Sequence, residues 1–431
     1  MKEQILDYLR NKSILILGFG REGRSSLEFI HKNLPGANVA IADQADISDN
    51  SVVENITLFT GDNYLEACEK YDVILKAPGV IIKNMLSDDI KAKITSQTDL
   101  FMRAYRNQII GVTGTKGKST TSSLIYHIFK ESGRDALLVG NIGKPCFDFI
   151  DQITSQTVIV YELSAHQLEY IQASPHIAVL LNIYEEHFDH YATPEDYYTA
   201  KKNIYKYQNE NDLLIYGDIF QHASEEDVKN TRATKINILN TTIVPREKIT
   251  TKLLGNHNQT NIQVAAAIAR EYSINEAQLL DAVASFQPLP HRLEFVGTFR
   301  DIKFYNDSIA TAQEAVINAI KSIDDVDTLI LGGMDRGLDY HPLVNYIRDT
   351  NITNIILLPA TNERFQQIFD EGDYRQKLIH VKDMREAVEQ AYAQTAPGKS
   401  CLLSPAAASY GFYKNFEERG DDYKKLISML K

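Results

Sequence analysis

Residues 108–123, QIIGVTGTKGKSTTSS, decide how the middle of this chain folds. The apolar run from Gln108 to Val112 has the character of a buried strand, and Thr120 to Lys130 spaces its apolar residues as a helix does. GTKGKST therefore stands at a strand-to-helix turn, where converging backbone N–H groups and the helix dipole favour an anion. Gly114 and Gly117 open the backbone around Thr115 to phosphate oxygens, Lys118 brings a point charge and Lys116 a second, and Ser119 or Thr120 offers a hydroxyl to Mg2+. Strict phosphate-loop spacing wants glycine at 112; Val112 stands there, and the first glycine comes one position early at Gly111. The expectation is a bound nucleoside triphosphate.

Upstream, the strand SILILGFG, the helix GREGRSSLEFIHK and the strand ANVAIAD form a βαβ unit. Gly18, Gly20 and Gly23 have dinucleotide-fold spacing, with Asp43 twenty residues beyond the last of them, so the unit taken alone reads as an NAD site. The strand YDVILKAPGV carries a Pro78-Gly79 turn to the carboxyl edge of that sheet, and helical pattern resumes from Thr98 to Tyr105. Downstream, TVIVYELS, IAVLLNI and DLLIYGD are apolar without clean alternation, as in a parallel sheet covered on both faces. Residues 221–251 are polar and read as surface excursions, a helix follows from Asn258 to Ile268, and Pro288 and Pro290 break the chain. IKFYNDS, VDTLILGGMD, ITNIILLPA and KSCLLSPAA, with helical stretches such as Met384 to Tyr392, give a third parallel α/β layer.

The chain is thus expected to be an α/β protein of three domains: a Rossmann-like one at 1–107, a central P-loop ATPase-like one with a mostly parallel sheet at 108–290, and a Rossmann-like α/β one at 291–431. A length of 431 residues fits two or three cores. Its net charge of -12 argues against a nucleic-acid backbone as partner, while a local positive site for small anions stays open. Charges throughout the first dozen residues argue against a signal peptide, and no stretch approaches a membrane span. Three widely spaced cysteines suit a reducing cytoplasm without structural metal.

Glu162 ends an apolar strand, where a carboxylate is costly unless a cation meets it, so a Mg2+ ligand is expected. His166 follows, read equally well as a packing histidine. NIYEEHFDHY crowds Glu185, Glu186, His187, Asp189 and His190 into one strand-end loop, and Lys201 and Lys202 head a helix nearby. Arg292, in PLPHRLE, is a candidate phosphate clamp. NDSIAT, LGGMDRG and SPAAASYGFYKNFEERG are small-residue turns that each follow a strand of the last domain, and their shared position suggests one cleft.

The order of these motifs, with ELS and GNHNQTN between them, resembles the Mur ligase family over essentially the whole chain. The resemblance implies an ATP-dependent amide ligase, specifically one adding D-glutamate to UDP-N-acetylmuramoyl-L-alanine, and it overrules NAD: the amino-terminal domain would bind the UDP sugar. It implies a monomer with ATP, two Mg2+ sites and a carbamylated lysine, Lys201, with Lys202 the rival. Lys118, His187 and Lys201 become the catalytic set, and Ser119, Thr120, Glu162, His187 and Lys201 the metal set. ATP would meet the turn Gly114–Thr120 together with Asn258, Asn261, Arg292 and Asp307. The UDP substrate would meet Gly20, Arg21, Glu22, Asp43, Pro78, Gly79, Asn141, Ser164 and Gln167, and D-glutamate would meet Thr311, Arg336, Ser409 and Phe416. Ile309 and Arg336 stand where the family usually has lysine. Sister ligases are the nearest alternatives; an NAD(P)-dependent oxidoreductase is favoured only by the first 43 residues, and a non-catalytic ATP-gated binding protein would form no acyl phosphate.

Overall fold

The computed structural model describes residues 1–47, 56–82, 86–141, 144–184, 191, 193–219 and 225–430. Three sheets follow one another along the chain. The first orders its strands β3-β2-β1-β4-β5, from β1 (Ile14–Leu17), β2 (Val39–Asp43), β3 (Thr57–Thr60), β4 (Val73–Lys76) and β5 (Ile94–Thr95). The second orders them β11-β10-β9-β6-β8-β7, from β6 (Ile109–Thr113), β7 (Ala136–Gly140), β8 (Val158–Glu162), β9 (Ile177–Asn182), β10 (Leu213–Asp218) and β11 (Thr234–Asn237). The third runs β12-β13-β17-β14-β15-β16, from β12 (Glu294–Phe299), β13 (Ile302–Asn306), β14 (Val326–Leu331), β15 (Asn354–Leu357), β16 (Lys377–His380) and β17 (Ser400–Leu403).

The first two sheets are parallel throughout. The third departs from the expected parallel layer: β12 pairs antiparallel with β13, with a register shift between Phe295 and Gly297. A hairpin of this kind needs only a short turn, whereas a parallel partner would need a crossover helix. Within the stretch expected to be surface excursions, residues 225–251 are also more ordered than their polarity suggests. Thr234–Asn237 pairs with β10 as an edge strand, its outer side needing no apolar face.

By compactness the chain forms two units, residues 1–250 with 260–284, and residues 251–259 with 285–431. In the first unit one apolar core runs from Ile16 and Phe101 to Ile159 and Ile204, so the helices of both sheets bury against shared neighbours. In the second, Val344, Ile355 and Phe365 fill one face of the sheet and Ile330, Val388 and Tyr423 the other.

The helix Pro194–Lys206 starts where its sequence says it should. Thr193 accepts from Asp196 N, Asp196 returns the bond to Thr193 N, and Pro194 occupies the first turn, where a missing N–H costs nothing. Lys201 and Lys202 lie in the third turn of this helix rather than at its head, because the cap sits at Thr193.

Candidate active site

The phosphate turn is built by two glycines in conformations that side chains resist. Gly117, at φ +88°, caps the helix Lys118–Glu131, and a Cβ there would lie 2.9 Å from Asn261 Oδ1; Gly114, at φ +154°, lies against Leu181. The missing glycine at 112 has no structural cost, since Val112 is a fully buried residue of β6 and the sharp turn falls after it. Gly111 serves packing instead: a Cβ there would sit 2.8 Å from Pro175. Asn182, at the end of β9, clamps the turn by accepting from Lys116 N at 2.8 Å and donating to Lys116 O at 3.0 Å. Lys118 Nζ donates to Gly114 O and Thr115 O, each at 2.9 Å, which folds the ammonium over the turn.

Strand order makes the crevice. In the first sheet β1 lies between β2 and β4, and in the second β6 lies between β9 and β8, so the strand order reverses beside each glycine turn. A cavity of about 640 Å³ opens there, lined by Gly20, Arg21, Glu22, Asp43, Pro78, Gly79, Asn141, Ser164 and Gln167 together with Lys118 and Lys201. Every residue expected to meet the sugar nucleotide thus lines one cavity with two candidate catalytic lysines. Tyr64, Gln44 and His166 line it too. Sequence reasoning passed over the first two: Tyr64 opens the 3-10 helix Tyr64–Lys70 after β3, and Gln44 follows β2, neither within a motif.

Asp43 turns both carboxylate oxygens to backbone, Oδ2 accepting from Phe19 N at 2.6 Å and Oδ1 from Ala45 N at 2.8 Å. It pins the glycine turn. Glu22 Oε1 accepts from Gln167 Nε2 at 2.7 Å, and Gln167 in turn completes a capping box with Ser164. Burial pushes the Glu22 carboxyl up, against the Gln167 hydrogen bond and the charges of Arg21 and Lys76. Lys76, buried at the end of β4, is pushed down by the same cause while Glu169, 3.5 Å away, opposes the shift.

Glu162, fully buried at the end of β8, accepts from Asn141 Nδ2 at 2.8 Å through Oε1. Its Oε2 has no hydrogen-bond partner among the described residues. A buried carboxylate oxygen left over in this way fits a cation ligand. The two adjacent lysines part company. Lys201 is buried, donates to Gly114 O at 3.0 Å and lies over the Tyr197 ring; Lys202 points to the carboxylates of Glu195 and Asp227. Glu185, Glu186, His187, Asp189 and His190 lie outside the described residues, and no group of three His, Cys, Asp or Glu suited to a metal occurs among those described.

In the second unit, Asp307 follows β13, accepting from Ser404 Oγ at 2.9 Å and Leu293 N at 3.1 Å. Burial pushes it up to about 7, against the hydrogen bonds and the Arg292 charge. Burial and Arg292 push His257 down, and Asn258 beside it donates to Leu254 O at 2.6 Å. Asn261 belongs to the other unit, at the phosphate turn. Of the amino-acid candidates, Arg336 Nη2 donates to Thr311 O at 3.2 Å. Ser409 lines a separate cavity of about 200 Å³ with Gly333, Lys382, Phe412 and Arg419, while Phe416 sets its ring edge-on to His291. Arg419, missed in the sequence, is buried and donates to Ser308 Oγ, Ser308 O and Ala407 O, and burial pushes it down to about 10.

Two family profiles match the chain, "Mur ligase middle domain" at residues 112–238 and "Mur ligase, glutamate ligase domain" at 291–407. The chain is 31% identical to a Clostridium acetobutylicum protein named UDP-N-acetylmuramoylalanine--D-glutamate ligase, over 99% of each chain. A Clostridium botulinum protein of the same name is 31% identical over 98% of each. Among solved structures, MurF ligase from Thermotoga maritima in complex with ADP matches at TM-score 0.60 and 15% identity, covering 100% of both chains. Among the described residues no helix is long and apolar enough to cross a membrane.

Proposed function

The chain belongs to the Mur ligase family, and from that premise we propose that it joins D-glutamate to UDP-N-acetylmuramoyl-L-alanine with cleavage of ATP to ADP and phosphate. The reaction belongs to peptidoglycan precursor synthesis in the cytoplasm, an environment that three free buried cysteines suit. One observation carries the reading: all nine sugar-nucleotide candidates share a cavity with Lys118 of the phosphate turn and with Lys201. A substrate held by its UDP end there extends its terminal carboxylate toward the triphosphate.

A carboxylate does not condense with an amine because its oxygen is a poor leaving group. The L-alanyl carboxylate attacks the γ-phosphorus, ADP departs, and an acyl phosphate forms. The neutral amine of D-glutamate then attacks the acyl carbon, and the tetrahedral intermediate gives up the amine's proton to solvent and expels phosphate. Lys118 offsets charge on the transferring oxygens, while the backbone of Gly114–Thr120 and Asn261 orient the triphosphate. Asn258, Arg292 and Asp307 hold the nucleotide, and Thr311, Arg336, Ser409 and Phe416 hold D-glutamate. Arginine at 336 meets a carboxylate through two parallel N–H groups, which offsets the loss of the usual lysine.

Glu162 with Ser119 or Thr120 would hold Mg2+, and His187 with Lys201 a second ion, supplying charge neutralisation to the phosphoryl oxygens. Lys201 takes its part after its neutral amine adds to carbon dioxide, releasing a proton and leaving a carbamate. The division 1–107, 108–290 and 291–431 assigns one sheet each to the UDP sugar, ATP and the amino acid.

The test is phosphate release from ATP with UDP-N-acetylmuramoyl-L-alanine present, comparing D-glutamate, L-glutamate, L-alanine and a diamino acid, with product mass recorded. Release with a gain of one glutamate only for D-glutamate is expected. Product with another amino acid moves the chain to a sister ligase, and no product with any overturns the reading.

A further inference from the structure

Glu22 is an anomaly in a cavity assigned to a diphosphate. It is the second residue of the helix Arg21–Asn33, directly after the glycine turn whose N–H groups and dipole favour phosphate. Glu22 lines the same cavity as Gly18, Gly20 and Arg21. One oxygen is held by Gln167, while Oε2 is buried and has no hydrogen-bond partner among the described residues. An ionised carboxylate here would repel the incoming diphosphate in a desolvated site, and the two anions would compete for one helix end. A neutral acid reverses the relation, because its O–H is a donor.

We infer that Glu22 serves the sugar nucleotide as a carboxylic acid, taking up one proton from solution as the substrate binds and donating from Oε2 to an anionic diphosphate oxygen. The inference rests on the sugar-nucleotide reading above and adds to it a protonation state. The groups around Glu22 agree. Burial already favours its neutral form, while Arg21 from its own helix and Lys76 from β4 act against it. Cys146 from the neighbouring 3-10 turn and Tyr161 from β8 are held neutral by burial, and Gln167 contributes an uncharged amide. Bringing in a diphosphate adds negative charge and tips the balance further toward the acid.

The measurement is calorimetric titration of the full chain with UDP-N-acetylmuramoyl-L-alanine at fixed pH in three buffers of different ionisation enthalpy. It is repeated from about pH 5.5 to about pH 8.5, where the diphosphate diester and terminal carboxylate stay ionised. The expected result is uptake approaching one proton, with Kd rising by up to about tenfold per pH unit across the titration window. In Glu22→Gln the uptake disappears and Kd no longer rises with pH. Uptake that persists in Glu22→Gln assigns the proton to another group, such as His166, and overturns the proposal. So does wild-type binding without uptake at any pH. Absence of binding overturns the substrate reading as well, which distinguishes the two failures. If Glu22→Gln loses its circular-dichroism signature, the wild-type proton count and pH profile decide.

Discussion

Lys201 Nζ donates to Gly114 O across 3.0 Å, so the helix Pro194–Lys206 reaches back 87 residues to the first glycine of the phosphate turn. Lys202, one position on, bonds Asp227 at 3.2 Å instead. A helix turns about 100° per residue, so neighbours cannot share a face. Lys201→Ala is therefore expected to lower kcat by about 10³-fold or more, the scale of a lost charged group at a phosphoryl-transfer site. Lys202→Ala is expected to change it by less than about threefold. Stripping carbon dioxide should slow the wild-type enzyme and bicarbonate should restore it. A crippled Lys202→Ala beside an active Lys201→Ala would reverse the assignment.

Lys118 folds over the phosphate turn through bonds to Gly114 O and Thr115 O, contacts that add little to folding and position a charge. Lys118→Ala should keep its melting temperature within a few degrees while turnover falls by about 10³-fold or more. Undiminished phosphate release from a folded variant would remove Lys118 from the mechanism.

Gly117 and Gly133 make a matched pair. Both have positive φ, +88° and +73°, but a Cβ on Gly117 would meet Asn261 and Leu181, and one on Gly133 would meet nothing within 4 Å. Alanine at either costs roughly 1–2 kcal/mol of backbone strain. Only Gly117→Ala should also weaken ATP binding, because the displaced Asn261 borders the turn. Equal ATP affinity in both variants would show that the turn absorbs the extra methyl.

Asp307 carries a pH signature. Its folded-state value of about 7 lies above that of an exposed carboxyl near 4, so the folded state binds more protons over that interval. Its contribution favours folding at and below about pH 4 and is lost as pH rises to about 7. The substitution Asp307→Asn would mimic the neutral acid, the amide oxygen accepting from Leu293 N and the amide nitrogen donating to Ser404 Oγ. Urea unfolding of Asp307→Asn and wild type should therefore diverge in favour of the variant from about pH 4 to about pH 7, with a constant gap above. A gap independent of pH would mean that Asp307 stays ionised throughout.

Legibility in the sequence followed sheet position. The strands visible as apolar runs are the eleven interior ones among the described residues, such as β6, β8 and β15, whose residues are buried throughout. Those passed over are β3, β5, β7, β11, β12 and β16, the two edges of each sheet. An edge strand faces solvent and needs no continuous apolar run; β3 and β16 alternate exposed ends with half-buried centres, and β5 has only two residues. The cavity followed a similar rule. Glycine turns and strand-end carboxylates announce themselves because their residue types are costly elsewhere, whereas Tyr64, Gln44 and Arg419 belong to surroundings that only the folded chain assembles.

The cap of the helix carrying Lys201 tests whether local structure transmits to chemistry. Thr193 Oγ1 accepts from Asp196 N, and the Asp196 carboxylate accepts from Thr193 N, so each satisfies a donor that the first helical turn leaves open. Thr193→Ala removes half of this exchange and should cost about 1 kcal/mol in urea unfolding. Lys201 lies two turns further on, and Tyr197, between them, reaches Thr115 in the phosphate turn with its hydroxyl at 3.0 Å. Fraying at the cap thus loosens a helix that contacts the turn at two points. Thr193→Ala is expected to lower kcat more than it raises KM for ATP, since orientation at the reacting phosphate suffers before affinity does. A loss of stability with kcat unchanged would show that Tyr197 and Lys201 hold the helix in register without its cap.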